Sequence, residues 1–232
     1  MSAELYIDGE YLNRNPTWHV EDSAWKARQI LRMLSRNHLG PQTICEVGCG
    51  AGEVLRQLQQ AMDPSCEFQG YEISPQAFRL CQERANERLH FQLKDFLQER
   101  EPPFDLLLLI DVIEHLEDYF TFLKKVKPRS HYKVLHIPLD LCVQTVLRPA
   151  KLAALRNQIG HLHYFTRETA LRSLEDSGYQ VLDHFLTAGA LEVTNKAFRT
   201  HLVNGPRRLV SMVHKNLAAR LFGGFSLLVL AT

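Results

Sequence analysis

The stretch ICEVGCGAGEVLRQL, residues 44–58, passes from an apolar strand-like run through three glycines into a helix-like run. A chain that turns so abruptly from strand to helix builds a parallel sheet with crossover helices, because the helix must return over the sheet before the next strand starts. The alternation continues downstream. TICEV is a strand with GEVLRQLQQAM as its helix, and EFQGYEI is a second strand. Ser74 as N-cap and Pro75 at the first helical position open the next helix. LHFQL is a third strand, and FDLLLLIDV has the nearly unbroken apolar character of a central strand covered on both faces. YKVLHIPL, YQVLDHFL and FSLLVLA complete the set, with a helix from near Thr166 to Gly178 before the last two. The expected fold is α/β: a doubly wound, mostly parallel seven-stranded sheet with helices on both faces and a final antiparallel strand. Ligands of such sheets bind beyond the carboxyl ends of the strands.

No repeat or Pro/Gly linker splits the 232 residues. The expected organisation is an N-terminal segment and helical lid (1–40), a core (41–188), a basic helical insertion (189–223) and the last core strand (224–232). At 45% hydrophobic and 23% charged residues the chain can bury a sizeable core, and a net charge of +1 makes no case for nucleic acid as a partner. MSAELYIDGEY lacks the apolar region of a signal peptide, and LLVLA near the other end is far below the ~20 residues of a membrane span. Cys45, Cys49, Cys66, Cys81 and Cys142 are odd in number and form no zinc pattern, so reduced thiols and a cytoplasmic location are expected.

The glycine loop discriminates among ligands. Neither Lys nor Ser/Thr follows Gly52, which excludes a P-loop, and Glu53 stands where a dinucleotide loop wants its third glycine. Glu46, ahead of Gly48, would repel a phosphate but pair with a cationic amino-acid group. E-x-G-C-G-x-G therefore favours a phosphate-free ligand with a positive end, and an NAD(P)-dependent oxidoreductase becomes the weaker alternative.

With these residues the chain resembles the class I SAM-dependent methyltransferases, in their small-molecule O-methyltransferase branch, over roughly residues 25–190. The resemblance implies that S-adenosylmethionine is the cofactor and S-adenosylhomocysteine the product. It implies a cofactor site from Glu46, Gly48, Cys49, Gly50 and Gly52, with Glu72 and Ile73 at the second strand end binding the ribose. Asp95 would accept from the adenine amino group and Phe96 pack near the ring, while Asp111 in LLIDVIEHLED closes the cofactor site. Cys49 is read as a small side chain within a tight turn rather than a redox group.

The D-V-I-E segment lacks the N-P-P-Y-type signature of nucleic-acid amino methylation, and no Pro-Cys dipeptide supplies a cysteine nucleophile. The expected acceptor is a hydroxyl of a small molecule: a sugar, quinone, polyketide or lipid-linked intermediate. Alternatives are N-methylation of a small amine and a non-catalytic SAM-binding regulatory subunit. A hydroxyl needs a general base, and His161 and His163 in GHLHYFT, then His115 in IEHLED, are the candidates, His161 first because it follows Gly160. The acidic run Asp111, Glu114, Glu117 and Asp118 is read as a helix N-terminus, with no metal expected.

Two outlying segments remain. NPTWHVEDSAWKA places Trp18, His19 and Trp25 ahead of the first long helix, as a lid over the cofactor or as an aromatic staple. The insertion carries Lys196, Arg199, Arg207, Arg208, Lys215 and Arg220 against one acid, Glu192. Leu209, Val210, Val213, Leu217 and Leu221 fall on one helical stripe, opposite Arg207, Arg208, His214 and Lys215. Such a helix lies on an anionic membrane, meets an anionic substrate, or simply covers the sheet edge.

Overall fold

The computed structural model describes residues 10–18, 20–99, 103–192 and 198–232. His19 and Lys196 lie outside the described residues. The strands are β1 (Thr43–Val47), β2 (Glu67–Glu72), β3 (Leu89–Leu93), β4 (Phe104–Ile110), β5 (Ser130–Pro138), β6 (Val181–Thr187) and β7 (Ser226–Ala231). They form one sheet in the order β3-β2-β1-β4-β5-β7-β6. β1 to β5 pair in parallel, and β7 runs antiparallel to both of its neighbours. The expected doubly wound sheet with its antiparallel last strand is therefore present. Strand order reverses between β1 and β4, and a cleft opens there at the carboxyl ends.

Alternation along the central strands divides the core between the two sheet faces. Ile44, Leu106, Leu108 and Val134 join one cluster with Ile30, Leu34, Leu55 and Leu58 of the helices α2 (Val20–Arg36) and α3 (Glu53–Ala61). Cys45, Leu107, Leu109 and Leu135 join the other, with Leu123 and Leu174 of α5 (Tyr119–Val126) and α8 (Arg167–Asp176). Each fully buried leucine contributes about 1.5–3 kcal/mol, which explains the unbroken apolar run of β4.

α2 starts with Glu21 and Asp22 and ends with Arg36, charges that complement the helix dipole. The expected caps also form: Ser74 accepts from Ala77 N at the start of α4 (Pro75–Gln82), and Thr166 accepts from Thr169 N at the start of α8. α1 (Glu10–Arg14) precedes α2, while α6 (Val143–Val146) and α7 (Pro149–Ile159) follow β5.

The insertion departs from expectation. It forms α9 (Gly189–Glu192), α10 (Phe198–Val213) and α11 (Lys215–Phe222), broken at His214, whose Nδ1 accepts from Leu217 N. The single stripe is thereby lost: Val210 packs with Ala188, Ala218, Ala219 and Phe225, but Leu209, Val213 and Leu217 are exposed. Arg207 turns inward and donates to the Phe222 carbonyl at 2.8 Å, so the supposed basic face is incomplete. Among the described residues no helix is long and apolar enough to cross a membrane.

Gly52 opens α3 with φ +74°, and a Cβ there would sit 2.5 Å from Phe91 Cζ; one at Gly70 would meet the same ring at 2.5 Å. Phe91 of β3 thus fills a slot that exists only because both positions lack side chains. Gly52→Ala is expected to lower stability by more than the ~1–2 kcal/mol left-handed cost alone, and by less in a Phe91→Ala background. Urea titration of the single and double variants measures both terms.

Candidate functional site

The ends of β1, β2 and β4 open into a cavity of about 340 Å³. Its base is the glycine loop, where Gly48 and Gly50 adopt φ of +70° and +55°. Gly48 N and Cys49 N donate to the Tyr71 carbonyl at 2.8 and 3.1 Å, which ties the loop to the end of β2. Glu72 then accepts from Gly50 N through one carboxylate oxygen and from Ile73 N and Ser74 N through the other, all at 2.8 Å. Burial raises its pKa while these bonds pull it back. Glu46 also lines the cavity. Among the described residues its Oε2 has no hydrogen-bond partner, and burial, opposed by Lys26, pushes its carboxyl up to about 8.

Asp111 follows β4 in the left-handed region, at φ 55°. Its carboxylate takes Lys26 Nζ at 2.8 Å and His136 Nδ1 at 2.6 Å. Burial disfavours its charge, yet His136 and Lys26 hold the carboxyl far below the usual range. Burial would likewise lower Lys26, but Asp111 and then Asp22, at 3.2 Å, raise it. Trp25 packs edge-on against His136 with centroids 5.9 Å apart and donates to Glu192 Oε2 at 2.8 Å. Tyr11, Trp18, Asp22 and Lys26 of the N-terminal segment line the cavity. Trp18 thus lines the cavity, whereas Trp25 is buried against His136.

The far wall comes from two segments. A 3₁₀ turn, Ile113–His115, follows Asp111, and its Glu114 carbonyl accepts from both Leu162 N (2.7 Å) and His163 N (3.1 Å). This seats the GHLH segment on the turn. His161 Nδ1 donates to Asp140 Oδ2 at 2.6 Å, and His115 Nδ1 donates to the Gly160 carbonyl at 3.2 Å. The two rings meet edge to face at 4.8 Å, and both line the cavity. Burial, then His161, depresses His115 to about 4. The Glu114 side chain is fully buried, neither carboxylate oxygen has a hydrogen-bond partner among the described residues, and burial and Asp111 raise its pKa strongly.

A family model described as a methyltransferase domain matches residues 45–130, the span from β1 to the start of β5. The whole sheet agrees with it. Over that span the chain is similar to methyltransferase domains, and its sheet has the fold of the class I SAM-dependent methyltransferases. Magnesium protoporphyrin IX methyltransferase of Synechocystis, solved with S-adenosylhomocysteine, superposes with a TM-score of 0.59 at 16% identity, covering 90% of this chain and 82% of that one. The N-methyltransferase NodS of Bradyrhizobium japonicum, also with S-adenosylhomocysteine, gives 0.55 at 18% identity, over 89% and 84%. At such identities the likeness is one of fold. Ajmaline N-methyltransferase of Rauvolfia serpentina is 31% identical over 93 residues, 37% of this chain. The match spans about a third of that relative's length.

In this chain the cavity brings together Glu46, Gly48, Cys49, Gly50, Glu72, Ile73, Asp111, His115 and His161. Gly52 stands behind the loop, against Phe91. Three expected residues are elsewhere. Asp95 is exposed and caps a 3₁₀ turn by accepting from Leu97 N. Phe96 is buried in the core, 5.0 Å from Tyr71 and under the Arg129 guanidinium, because the turn points it at the sheet. His163 does not line the cavity; its Nε2 donates to the carbonyl of Leu116, which does, and its ring abuts Tyr119.

The acidic run is likewise dispersed: Asp118 alone caps a helix, α5, through Thr121 N, while Asp111 is ion-paired and Glu114 buried. Lys26 and Asp140 escaped the sequence reading, which took Glu114 only for part of an acidic helix start. Asp140 was accessible to it, since it follows β5 as Glu72 ends β2. Lys26 was not, because nothing local distinguishes it from other helix cations. Lys26→Met leaves Asp111 facing His136 alone and is expected to cost roughly 3 kcal/mol, with Lys26→Arg recovering most of it in urea titrations.

Proposed function

We propose that this chain transfers the methyl group of S-adenosylmethionine to a hydroxyl of a small molecule: a sugar, quinone, polyketide or lipid-linked intermediate. The observation that carries this reading is the Asp140–His161 pair in the wall of the same cavity as the glycine loop. A cavity of about 340 Å³ is of ligand-pocket size.

The residues present suit the cofactor. Glu46 offers an unpartnered oxygen to an ammonium group, and Glu72, anchored by three backbone N–H groups, keeps acceptor capacity for ribose hydroxyls. Ile73, 43% exposed, offers an apolar surface for the base. Bound there, S-adenosylmethionine supplies a methyl made electrophilic by its sulfonium. The chain supplies alignment and proton handling. His161 couples the acceptor to proton removal: Asp140 holds Nδ1–H, fixes the tautomer and turns Nε2 toward the cavity, so a bound hydroxyl can lose its proton at this wall. In the insertion, the exposed Leu209, Met212 and Val213 beside Arg208 and Lys215 support contact of residues 189–223 with an anionic lipid or acceptor.

Two relatives named above are N-methyltransferases, which favours an amine acceptor as the second reading. An amine has its own lone pair and makes little use of an Asp-braced imidazole. Incubation with hydroxyl and amine acceptor panels, following S-adenosylhomocysteine release, separates the readings. Hydroxyl turnover that falls by about 10²–10⁴-fold in His161→Gln, with S-adenosylhomocysteine affinity retained, is the expected result. Amine turnover indifferent to that change overturns the hydroxyl reading, and cofactor binding without any turnover makes the chain a regulatory subunit.

Glu46 supplies a pH signature. Raised to about 8, it is protonated at pH 7 in the free protein, and a neighbouring ammonium favours its charged form. Binding therefore releases a proton, and affinity for S-adenosylhomocysteine rises with pH up to about 8 and then levels. Calorimetry in buffers of different ionisation enthalpy measures the release, which Glu46→Gln should remove.

A further inference from the structure

We propose that Glu114, His115 and His161 form a binding site for a first-row divalent cation, held by a carboxylate oxygen and two imidazole nitrogens and open to the cavity. One ligand atom from each of the three residues can be chosen so that all lie within 4.8 Å of one another. His115 Nε2 is already 3.9 Å from Glu114 Oε1. In a tetrahedral site with ligands at about 2.1 Å, neighbouring ligand atoms stand about 3.4 Å apart. Small side-chain rotations close the difference.

Two independent features point to a ligand here. The first is the Glu114 carboxylate, fully buried with no hydrogen bond to either oxygen among the described residues. A buried carboxylate is tolerated when it is paired or coordinates a metal. The second is the outer support of the two imidazoles. His161 Nδ1 is held by the Asp140 carboxylate and His115 Nδ1 by the Gly160 carbonyl. Metal-ligating histidines are fixed in this way, with the far nitrogen turned to the cation. Two imidazoles and one carboxylate suit Mn²⁺, Fe²⁺, Co²⁺ or Zn²⁺ better than Ca²⁺, which prefers oxygen donors.

Cation binding stands apart from the hydroxyl-acceptor reading; the use of the cation rests on it. With the site filled, His161 Nε2 is a ligand rather than a base. The cation lowers the pKa of an acceptor hydroxyl bound to it, whose proton leaves to solvent. The oxygen then forms its bond to the methyl carbon as the carbon–sulfur bond breaks, the electron pair staying on sulfur.

The test is titration of tag-free protein with Co²⁺ and with Mn²⁺, followed by calorimetry and, for Co²⁺, by visible absorption. One site per chain is expected, with affinity falling more than about tenfold in Glu114→Gln and in His161→Gln, and about tenfold in Asp140→Asn, which removes only outer support. His131→Gln, at an exposed histidine, should change nothing. Far-ultraviolet circular dichroism verifies that each variant is folded. Absence of stoichiometric binding by wild type, or binding that both ligand variants leave intact, overturns the site. Cation binding without hydroxyl turnover would overturn the acceptor reading alone; hydroxyl turnover without cation binding would leave His161 as the base and remove the metal.

Discussion

The Asp111 carboxylate is the point on which the site depends. It sits at the end of β4 in a left-handed backbone conformation and takes Lys26 from α2 on one side and His136 from β5 on the other. One group thus fixes the N-terminal segment to the centre of the sheet at the place where strand order reverses. Behind it His136 reaches Thr187, and Trp25 packs on the imidazole while bonding Glu192, so the clamp extends to the insertion. A buried charge is tolerated only when paired and hydrogen-bonded, and each member of this chain has its partner.

The clamp also shapes the electrostatics of the cavity. Asp111 and Lys26 neutralise one another, which leaves Glu46 and Glu72 as the carboxylates facing the glycine loop. Glu72 is committed to three backbone N–H groups and holds the loop shape. Glu46 is the one with an oxygen unpartnered among the described residues, and its raised pKa expresses the energetic penalty of keeping that carboxylate charged while buried. A ligand with a positive end relieves that penalty; a phosphate increases it.

The opposite wall is organised by a single backbone carbonyl. Glu114 O receives two successive N–H groups of the GHLH segment, so the turn after β4 and the segment after α7 behave as one unit. That unit places His115 against His161 and buries the Glu114 side chain behind them. The 3₁₀ turn is short and the segment has no regular structure, so tertiary hydrogen bonds and ring packing hold this wall together.

The order of strands and helices, the sheet class and the glycine loop were legible in the sequence. The apolar runs of β1 and β4, the caps at Ser74 and Thr166, and E-x-G-C-G-x-G are local patterns whose physics acts within a few residues. The carboxylates at positions 46, 72 and 111 were legible for the same reason, since a strand end defines where its last side chains emerge. Only the tertiary structure decided what each one meets. Lys26 reaches Asp111 across 85 residues of chain, Asp140 selects His161 over His163, and Phe96 turns into the core instead of toward a ligand. The stripe across residues 209–221 misled because its period ignored the break at His214. Local sequence sets periodicity and capping. Which buried charge finds which partner is settled by packing between segments distant in the chain, where desolvation makes an unpaired group too costly to keep.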